Sequence, residues 1–202
     1  TENNTQVTIR PKFSIMGHAA GVPFTITLQK GETYTCSATN NIATERPGGT
    51  LVTSNKPICI STKDDSLFYT GQGCSDTAGD QLIPDNIAGQ EFIVIKGYFN
   101  SPDFYYVFAI ENNTVVKVNG ITVATLQAGD YFKGSLSENS CFINSDKPIH
   151  IFHITGFGCE LGGAIIPSRK CTGSKSISVT RASSTGSFYL NVLAPKNSIN
   201  DF

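Results

Sequence analysis

The sequence predicts an all-β fold made of two tandem, related antiparallel β-sandwich domains. Its composition is the first reason, because 20 Ile and 21 Thr stand against 9 Leu and a single Met among 202 residues. β-Branched residues favour strands over helices. An internal repeat is the second reason, since two copies of roughly 100 residues each are typical of tandem β-domains.

Alternating apolar and polar residues mark the strands. Val22, Phe24, Ile26 and Leu28 share one predicted face, and residues 176–180 alternate in the same way. No window carries a helical stripe longer than two turns. Further strands are predicted near residues 32–37, 50–53, 57–62, 91–96, 104–110, 130–136, 148–155 and 186–193.

Turn residues separate these strands. Asn119-Gly120 lies between two apolar runs, a pair that predicts a tight β-hairpin. Residues 29–31 and 127–129 each end in glycine, and we expect them to be the turns of one equivalent hairpin in each copy.

The internal repeat consists of six blocks in the same order. The first copy carries longer loops, around residues 17–21 and 40–49, so the offset between the copies shrinks along the chain. The predicted domains are therefore residues 1–109 and 110–202, with a third copy beginning at 195–202 and a longer parent chain. The matching blocks are residues 2–7 with 111–116, 28–32 with 126–130, 54–58 with 145–149, 73–74 with 158–159, 82–84 with 165–167 and 105–107 with 188–190.

The charge pattern excludes some partners. The chain has 15 basic and 16 acidic residues, a formal net charge of -1. Nucleic-acid binding needs clustered Lys and Arg, so none is expected. No apolar run approaches the roughly 18 to 20 residues of a membrane-spanning helix, so no membrane insertion is expected either.

Catalytic motifs are missing, and we expect neither an enzyme nor a cofactor. There is no GxSxG nucleophile elbow. The Gly156-Phe157-Gly158 string lacks the third glycine of a dinucleotide-binding turn, and Pro167 interrupts any helix that would follow. Nothing in the sequence brings two carboxylates together for glycoside hydrolysis.

Two groups of residues are candidates for a metal site, and each has a simpler interpretation. His150 and His153 lie three residues apart on a predicted strand, so they point to opposite faces and a shared zinc ion is disfavoured. A loop calcium site is the stronger alternative, but Asx-type turn capping is the favoured interpretation of its aspartates. The calcium candidates are Asp64, Asp65, Asp76 and Asp80.

An aromatic run over residues 104–108 is a candidate sugar-stacking platform. On a strand, Phe104, Tyr106 and Phe108 face one way and Tyr105 and Val107 face the other. A central strand buried on one or both faces is the favoured interpretation. The absence of Trp also weakens the sugar hypothesis.

Several strings resemble the IgGFc-binding protein N-terminal domain family, and in particular its bacterial, Bacteroidetes-like surface-protein members. The resemblance covers essentially the whole chain. It implies a non-catalytic, extracellular module of an adhesin-like protein, without carrying over any catalytic residue. The strings are SNKPI at 54–58, GDQLIP at 79–84, EFIV at 91–94, SDKPI at 145–149 and HITGFGCELGG at 153–163.

This resemblance leads to a functional hypothesis of adhesion or ligand binding. Host glycan, mucin or a protein is the expected partner, and binding of immunoglobulin Fc does not transfer automatically, because fold does not fix function. The long loops over residues 15–22 and 39–49 are the expected binding surface. A structural spacer and a carbohydrate-binding or carbohydrate-processing module stay open as alternatives.

In an exported module, six cysteines favour disulfides over a metal site. Cys159 and Cys171 flank a short segment, so local closure makes them the first candidate pair. Cys36 and Cys59 lie on predicted neighbouring strands and form the second. Reduced, packed cysteines are the open alternative. Cys74 and Cys141 are left to pair across the copies or to stay free.

Overall fold

The computed structural model describes residues 1–42, 45–68, 75–171, 176, 178 and 190–194. Residues Thr1–Thr172 form one compact unit and Gly173–Phe202 form another. Apart from short 3-10 turns such as Asp85–Ile87 and Arg169–Cys171, the described residues form strands and loops, which confirms the all-β prediction. No helix in the described part is long and apolar enough to cross a membrane.

All the named strands lie in the first unit. They are β1 (Thr5–Arg10), β2 (Phe24–Leu28), β3 (Leu51–Ser54), β4 (Ser61–Phe68), β5 (Ser75–Gln81), β6 (Gly89–Ile95), β7 (Tyr98–Phe99), β8 (Asp103–Ala109), β9 (Thr114–Val118), β10 (Ile121–Leu126), β11 (Tyr131–Leu136), β12 (Ser140–Gly158) and β13 (Glu160–Ile166).

The largest sheet has eight strands and is organised around β12. Its path runs β10–β9–β12–β8–β11, and β6, β7 and β13 also pair with β12. The 19 residues of β12 allow it to change partners along its length. Its first part lies between β6 and β9, and its last part pairs with β13. The register with β6 breaks between Asn144 and Ile149, a stretch that contains Pro148, which has no N–H to donate.

Alternate residues of these strands form the main core, because successive side chains on a strand point to opposite faces. On β8, for example, Tyr105 and Val107 are buried while Phe104 and Tyr106 are half-buried. The twelve buried residues of this cluster are Phe92, Val94, Tyr105, Val107, Ala109, Val116, Leu126, Leu136, Cys141, Ile143, Ile149 and Ile151.

Two smaller sheets precede the large one in the chain. The first has the order β2–β1–β3, and the second is the β4–β5 hairpin. On β2, Phe24, Ile26 and Leu28 are half-buried and the threonines between them are exposed, which confirms the predicted alternation over these residues. Val22, predicted to share their face, lies before the strand and is exposed. Val7 and Ile9 of β1 are 4% and 3% exposed and form the interior of the first sheet.

The two sequence copies build the same three-stranded arrangement. β1 pairs with β2 and β3, and its equivalent β9 pairs with β10 and β12. Val7 lies opposite Ser54, just as Val116 lies opposite Ser145. Every pair that the two arrangements share has this repeat register, except where β10 carries a bulge between Thr122 and Ala124.

One corner of each arrangement also has the same hydrogen bonds. Asn4 and Asn113 both adopt positive φ, 57° and 56°. Lys56 Nζ donates to the carbonyl oxygen of Asn3 at 2.6 Å, and Lys147 Nζ donates to that of Asn112 at 2.5 Å. The side chains of Asn3 and Asn112 accept from the backbone N–H of Lys30 and Ala128 at 2.9 Å and 3.0 Å.

The predicted turns form, but neither of the hairpins predicted at 29–31 and 127–129 does, since residues 32–37 form no strand and β10 does not pair with β11. Asn119 and Gly120 have φ of 49° and 84° and join the paired strands β9 and β10, as predicted. The turns at 29–31 and 127–129 also form, with Gly31 and Gly129 at positive φ. The second of them joins β10 to β11, however, and these strands pair with β9 and β8 rather than with each other.

Several predicted strands differ from the observed ones. Residues 32–37 form no strand, and β4 starts only at Ser61 rather than near residue 57. The strand predicted at 148–155 is part of the much longer β12. Most of the strands predicted at 176–180 and 186–193 lies outside the described residues.

The predicted boundary between residues 109 and 110 falls inside the large sheet. β8 ends at Ala109 and pairs with β11 and β12 from the second copy. β6, also from the first copy, pairs with β12 as well. The sequence copies are therefore interleaved in this sheet, and the division into two tandem sandwich domains stays a prediction.

Candidate ligand-binding surface

The first long loop presents apolar side chains to solvent from a buried anchor. Ile15 is 2% exposed, and its N–H and carbonyl exchange hydrogen bonds with His18 at 3.0 Å. The N–H of Met16 donates to the carbonyl of Ser37 at 2.9 Å, which ties the loop to the next segment. Met16 and Val22 are nevertheless 67% and 57% exposed. The backbone thus holds these two side chains out from the protein.

An aromatic stack supports this loop. The rings of His18 and Phe24 are stacked, with centroids 3.4 Å apart and an interplanar angle of 5°. Tyr34 meets the edge of Phe24 at 6.0 Å, and its hydroxyl lies 3.3 Å from Nε2 of His18. Phe24 opens β2, so the stack joins the loop to the first sheet.

The second long loop is shaped by an Asx turn and a glycine pair. Oδ1 of Asn40 accepts from the N–H of Ile42 at 2.8 Å, and Ile42 is 53% exposed. At the far end of the loop Gly49 has φ of 82°, and a Cβ there would lie 2.0 Å from the carbonyl oxygen of Gly129. Only glycine fits such an approach. Residues 43 and 44 lie outside the described part.

A cavity of about 250 Å³ lies between the two loops. Gly21 of the first loop and Gly49 of the second both line it. Arg10 also lines it and forms no ion pair with any described residue. The cavity is therefore open to an acidic group. Its remaining lining residues are Pro11, Lys12 and Ala128.

A second cavity of about 210 Å³ shares Lys12 with the first and extends to Tyr131. Lys12 Nζ lies 2.7 Å from Oδ1 of Asp130 in a half-exposed ion pair. The hydrogen bond from Lys12 holds the pKa of Asp130 below its ordinary value. The pair connects the end of β1 to the turn before β11 and fixes the wall common to both cavities. We call the two loops and these cavities the loop surface.

A set of aromatic rings continues from Tyr131 along the other side of β8 and β11, where Phe104 and Tyr106 also pack against a second buried cluster. That cluster consists of Phe99, Ile154 and Leu161. Tyr131 is 41% exposed, and its ring centroid lies 5.7 Å from that of Tyr106 and 5.6 Å from that of Phe108. Lys133 Nζ lies 4.5 Å above the centroid of the Phe104 ring. We call these rings the aromatic face.

The aromatic face includes alternate residues of the run 104–108, which the sequence identified either as a buried central strand or as a sugar-stacking platform. β8 is an interior strand of the sheet, and its other face is buried. The favoured structural interpretation is therefore confirmed for that buried face. The half-buried Phe104, Tyr106 and Phe108 stay partly accessible, so their side of the strand adjoins the loop surface as a second place for a ligand.

The two candidate zinc-ligating histidines do not come together. His150 Nε2 lies 2.9 Å from Oδ1 of Asp85, whereas His153 Nε2 lies 2.9 Å from Oδ2 of Asp103. The strand directs the two rings to different carboxylates. The described residues contain no group of three or more His, Cys, Asp or Glu side chains placed to hold a metal ion.

The four candidate calcium-binding aspartates are also engaged separately. Asp64 accepts from the N–H of Ser66 at 3.2 Å, the predicted Asx turn, and pairs with Arg46. Asp65 pairs with Lys63 at 2.7 Å, near the surface.

Asp76 and Asp80 have a different role, which the sequence did not reveal. Asp76 accepts from the N–H of Leu161 at 2.7 Å, and Asp80 accepts from that of Ile165 at 2.8 Å. They lie four residues apart on one side of β5, with the buried Ala78 between them. Side chains of β5 thus accept hydrogen bonds from N–H groups at the edge of β13, in place of the backbone carbonyls of a neighbouring strand. The sequence signal was their even spacing along one strand.

The structure contradicts one of the two predicted cysteine pairs. Cys36 and Cys59 are free thiols, so the second candidate disulfide is wrong in this structure. Cys141 is also free, and burial raises its pKa to about 11, as expected for an unreactive core thiol. Cys159 is not one of the free thiols. The side chains of Cys74 and Cys171 lie outside the described residues, so the Cys159–Cys171 pair stays a prediction.

Comparison with known proteins identifies a family. The family model described as IgGFc binding protein matches residues 1–200. No curated protein and no solved structure matches the chain. The match spans both sequence copies, the loop surface and the aromatic face. The chain therefore belongs to the IgGFc-binding protein family.

Proposed function

We propose that the chain is a non-catalytic, extracellular ligand-binding module of a larger secreted or cell-surface bacterial protein, and that its ligand is a protein. The observation that carries this proposal is the loop surface, where Met16, Val22 and Ile42 are more than half exposed on the two loops whose glycines line a cavity. Arg10 lines the same cavity and forms no ion pair with any described residue. Exposed apolar side chains beside polar groups are typical of protein-binding sites.

The chemistry of this surface favours a protein over a sugar. Met16 is flexible and apolar, a property of surfaces that adapt to peptide side chains. Arg10 supplies a guanidinium for a carboxylate of the partner. Tyr131 links the cavities to the aromatic face, and tyrosine is enriched at protein interfaces. Membership of the IgGFc-binding family supports a protein ligand as well.

A binding screen with the whole chain tests the proposal. The chain is immobilised, and purified mucin, immunoglobulin Fc and a host glycan array are applied separately. We expect saturable binding of a protein. Binding to protein-free glycans alone would instead support the carbohydrate alternative, and a uniformly negative screen would remove the adhesin proposal.

A surface variant locates the site. We expect Met16→Ser combined with Val22→Ser to weaken binding of the captured protein by about tenfold or more, as interface anchors do. Ile121→Ser is the matched control, because Ile121 is 70% exposed but lies on β10, outside the loop surface. Equal binding by both variants would show that the binding site lies outside these two side chains. Tyr131→Ala then tests the aromatic face.

A structural spacer is the second candidate function. The shared register of β2–β1–β3 and β10–β9–β12 favours it, because repeated structural units are suited to extend a chain. A spacer requires no ligand on the loop surface. It therefore predicts that the same screen gives no specific binding.

An oxidising location is part of the proposal and supports a Cys159 disulfide. Peptide mapping of the unreduced chain tests the proposed Cys159–Cys171 pair. A linked peptide containing both residues supports it, and a Cys159 peptide linked to Cys74 would replace it.

A further inference from the structure

The first sheet has an open edge where the equivalent position of the large sheet is occupied. β3 pairs with β1, and within the described residues no strand pairs with its other edge. Its repeat equivalent is the stretch of β12 from Phe142 to Ser145. That stretch pairs with β9 on one side and with β6 on the other, where Ile143 lies opposite Phe92.

The burial of equivalent residues shows what the missing neighbour would cover. Ile143 is fully buried and Ser145 is 8% exposed. Their equivalents on β3 are more accessible, since Val52 is half-buried and Ser54 is exposed. Leu51, at the start of β3, is 41% exposed.

The same difference continues beyond the strand. Ile149 and Ile151, which lie where β8 meets β12, are fully buried. Their equivalents Ile58 and Ile60 are only half-buried. Within the described residues, the first copy is therefore less covered along the stretch that β6 and β8 cover in the second.

The order of the strands along the chain indicates where such cover originates. β6 and β8 precede β9, so they come from the end of the first copy and complete the sheet of the second copy. By the repeat, residues 105–107 of β8 match residues 188–190. The strands that would complete the next sheet are therefore contained in residues 176–193, which alternate at 176–180 as a half-buried strand does.

We propose that the open edge of β3 takes residues 176–193 of a second copy of this chain, added antiparallel as β6 is added to β12. Copies then join head to tail, each donating its last strands to the first sheet of the next. Such a heterologous contact builds chains of units rather than closed pairs. Strand addition supplies backbone hydrogen bonds, and the alternate side chains Ile177 and Val179 supply apolar contact.

Sedimentation velocity of the full chain over a range of concentrations tests this assembly. We expect the mean mass to rise with concentration beyond that of a dimer. A strictly monomeric chain, or a dimer that grows no further, would overturn the proposal. The Met16→Ser, Val22→Ser variant should associate like the unchanged chain, so failure of the ligand proposal and failure of this one are distinguishable.

A strand-breaking variant and a peptide identify the donated segment. Ile177→Pro removes a backbone donor from the predicted strand, whereas Ser184→Pro places proline between the two predicted strands as the control. A fluorescein-labelled peptide of residues 174–194 is titrated with the full Ile177→Pro chain, whose β3 edge is then free. We expect saturable binding, weakened by about tenfold or more when the peptide itself carries Ile177→Pro.

The control separates strand pairing from other effects. The Ser184→Pro chain should assemble like the unchanged chain, and the Ile177→Pro chain should stay monomeric. Assembly of the Ile177→Pro chain, or absence of peptide binding, would show that this segment does not pair with β3.

Discussion

His153 on β12 and Asp103 on β8 are joined by a buried hydrogen bond, with 2.9 Å between Nε2 and Oδ2. The two residues are 8% and 0% exposed. The N–H of Gly97 donates to the same carboxylate oxygen at 2.8 Å, so Asp103 also holds the segment between β6 and β7. One carboxylate thus connects three parts of the large sheet.

Removal of the Asp103 carboxylate should destabilise the fold strongly. Asp103→Ala leaves His153 and the N–H of Gly97 without their acceptor inside the protein, and we expect a loss of about 3 kcal/mol in the free energy of unfolding. Asp85→Ala is the matched control, because it breaks an equally short bond to His150 near the surface and should cost less than about 1 kcal/mol. Urea unfolding measures both, and equal losses would contradict the assigned role of burial.

The same carboxylate should make stability depend on pH in the acid range. Burial raises the pKa of Asp103, but hydrogen bonds from His153 and Gly97 together lower it by more. The net pKa of Asp103 is therefore below the ordinary 3.8. A lowered pKa contributes stability above pH 3.8, and this contribution disappears as the pH falls through the lowered value. The free energy of unfolding, measured with urea, should therefore differ less between the unchanged chain and Asp103→Asn as the pH falls below 4. A difference that does not change with pH would refute this.

Gly134 on β11 should tolerate no side chain. A Cβ there would lie 2.0 Å from the ring of Tyr105, a buried core residue. We expect Gly134→Ala to lower the free energy of unfolding by about 1 to 3 kcal/mol through overpacking. Gly162→Ala on β13 is the control, because its Cβ would meet nothing within 4 Å. Thermal unfolding separates the two, and a neutral Gly134→Ala would show that the ring moves without cost.

The aspartates of β5 should protect the edge of β13. In the double variant Asp76→Ala, Asp80→Ala, the N–H groups of Leu161 and Ile165 lose their acceptors. We expect these two amides to exchange with deuterium faster and the protein to aggregate more readily, as exposed edges do. Asp65→Ala removes a surface ion pair only and should change neither property. Unchanged exchange in the double variant would show that another group satisfies the edge.

Local chemistry predicted much of the fold. Asn119-Gly120 specifies its turn because both residues adopt positive φ at low cost. The asparagine-rich corners could also be recognised, because the sequence repeat reproduces the hydrogen bonds of Asn3 and Asn112. Such features depend on residues that are close in sequence or matched between the copies.

Features that depend on distant partners could not be predicted. The alternation of β12 breaks around Pro148, so its full length follows only from its neighbours in the sheet. His153 meets Asp103 from fifty positions away. β5 is rich in Gly and Asp, and it becomes a strand through β4 and the amides of β13 rather than through its own propensity.

The cavities of the loop surface could not be predicted from the sequence either. They depend on the approach of Gly49 to Gly129 and on the ion pair between Lys12 and Asp130, which unite residues of both copies. The prediction of the two long loops as a binding surface used only their extra length. The structure adds the anchor at Ile15 and the exposed Met16, and binding itself stays a prediction.

The position of β12 at the centre of the large sheet has a consequence for the order of folding. Its partners β6 and β8 are synthesised first and cannot pair with β12 until β12 follows. The paired residues Glu91 and Asn144, for example, are separated by a long stretch of chain. Contacts of this kind fold slowly, because the intervening loop must be closed before any pairing compensates for its entropy. During synthesis, the apolar faces of these early strands therefore stay uncovered until the chain has been made as far as Gly158.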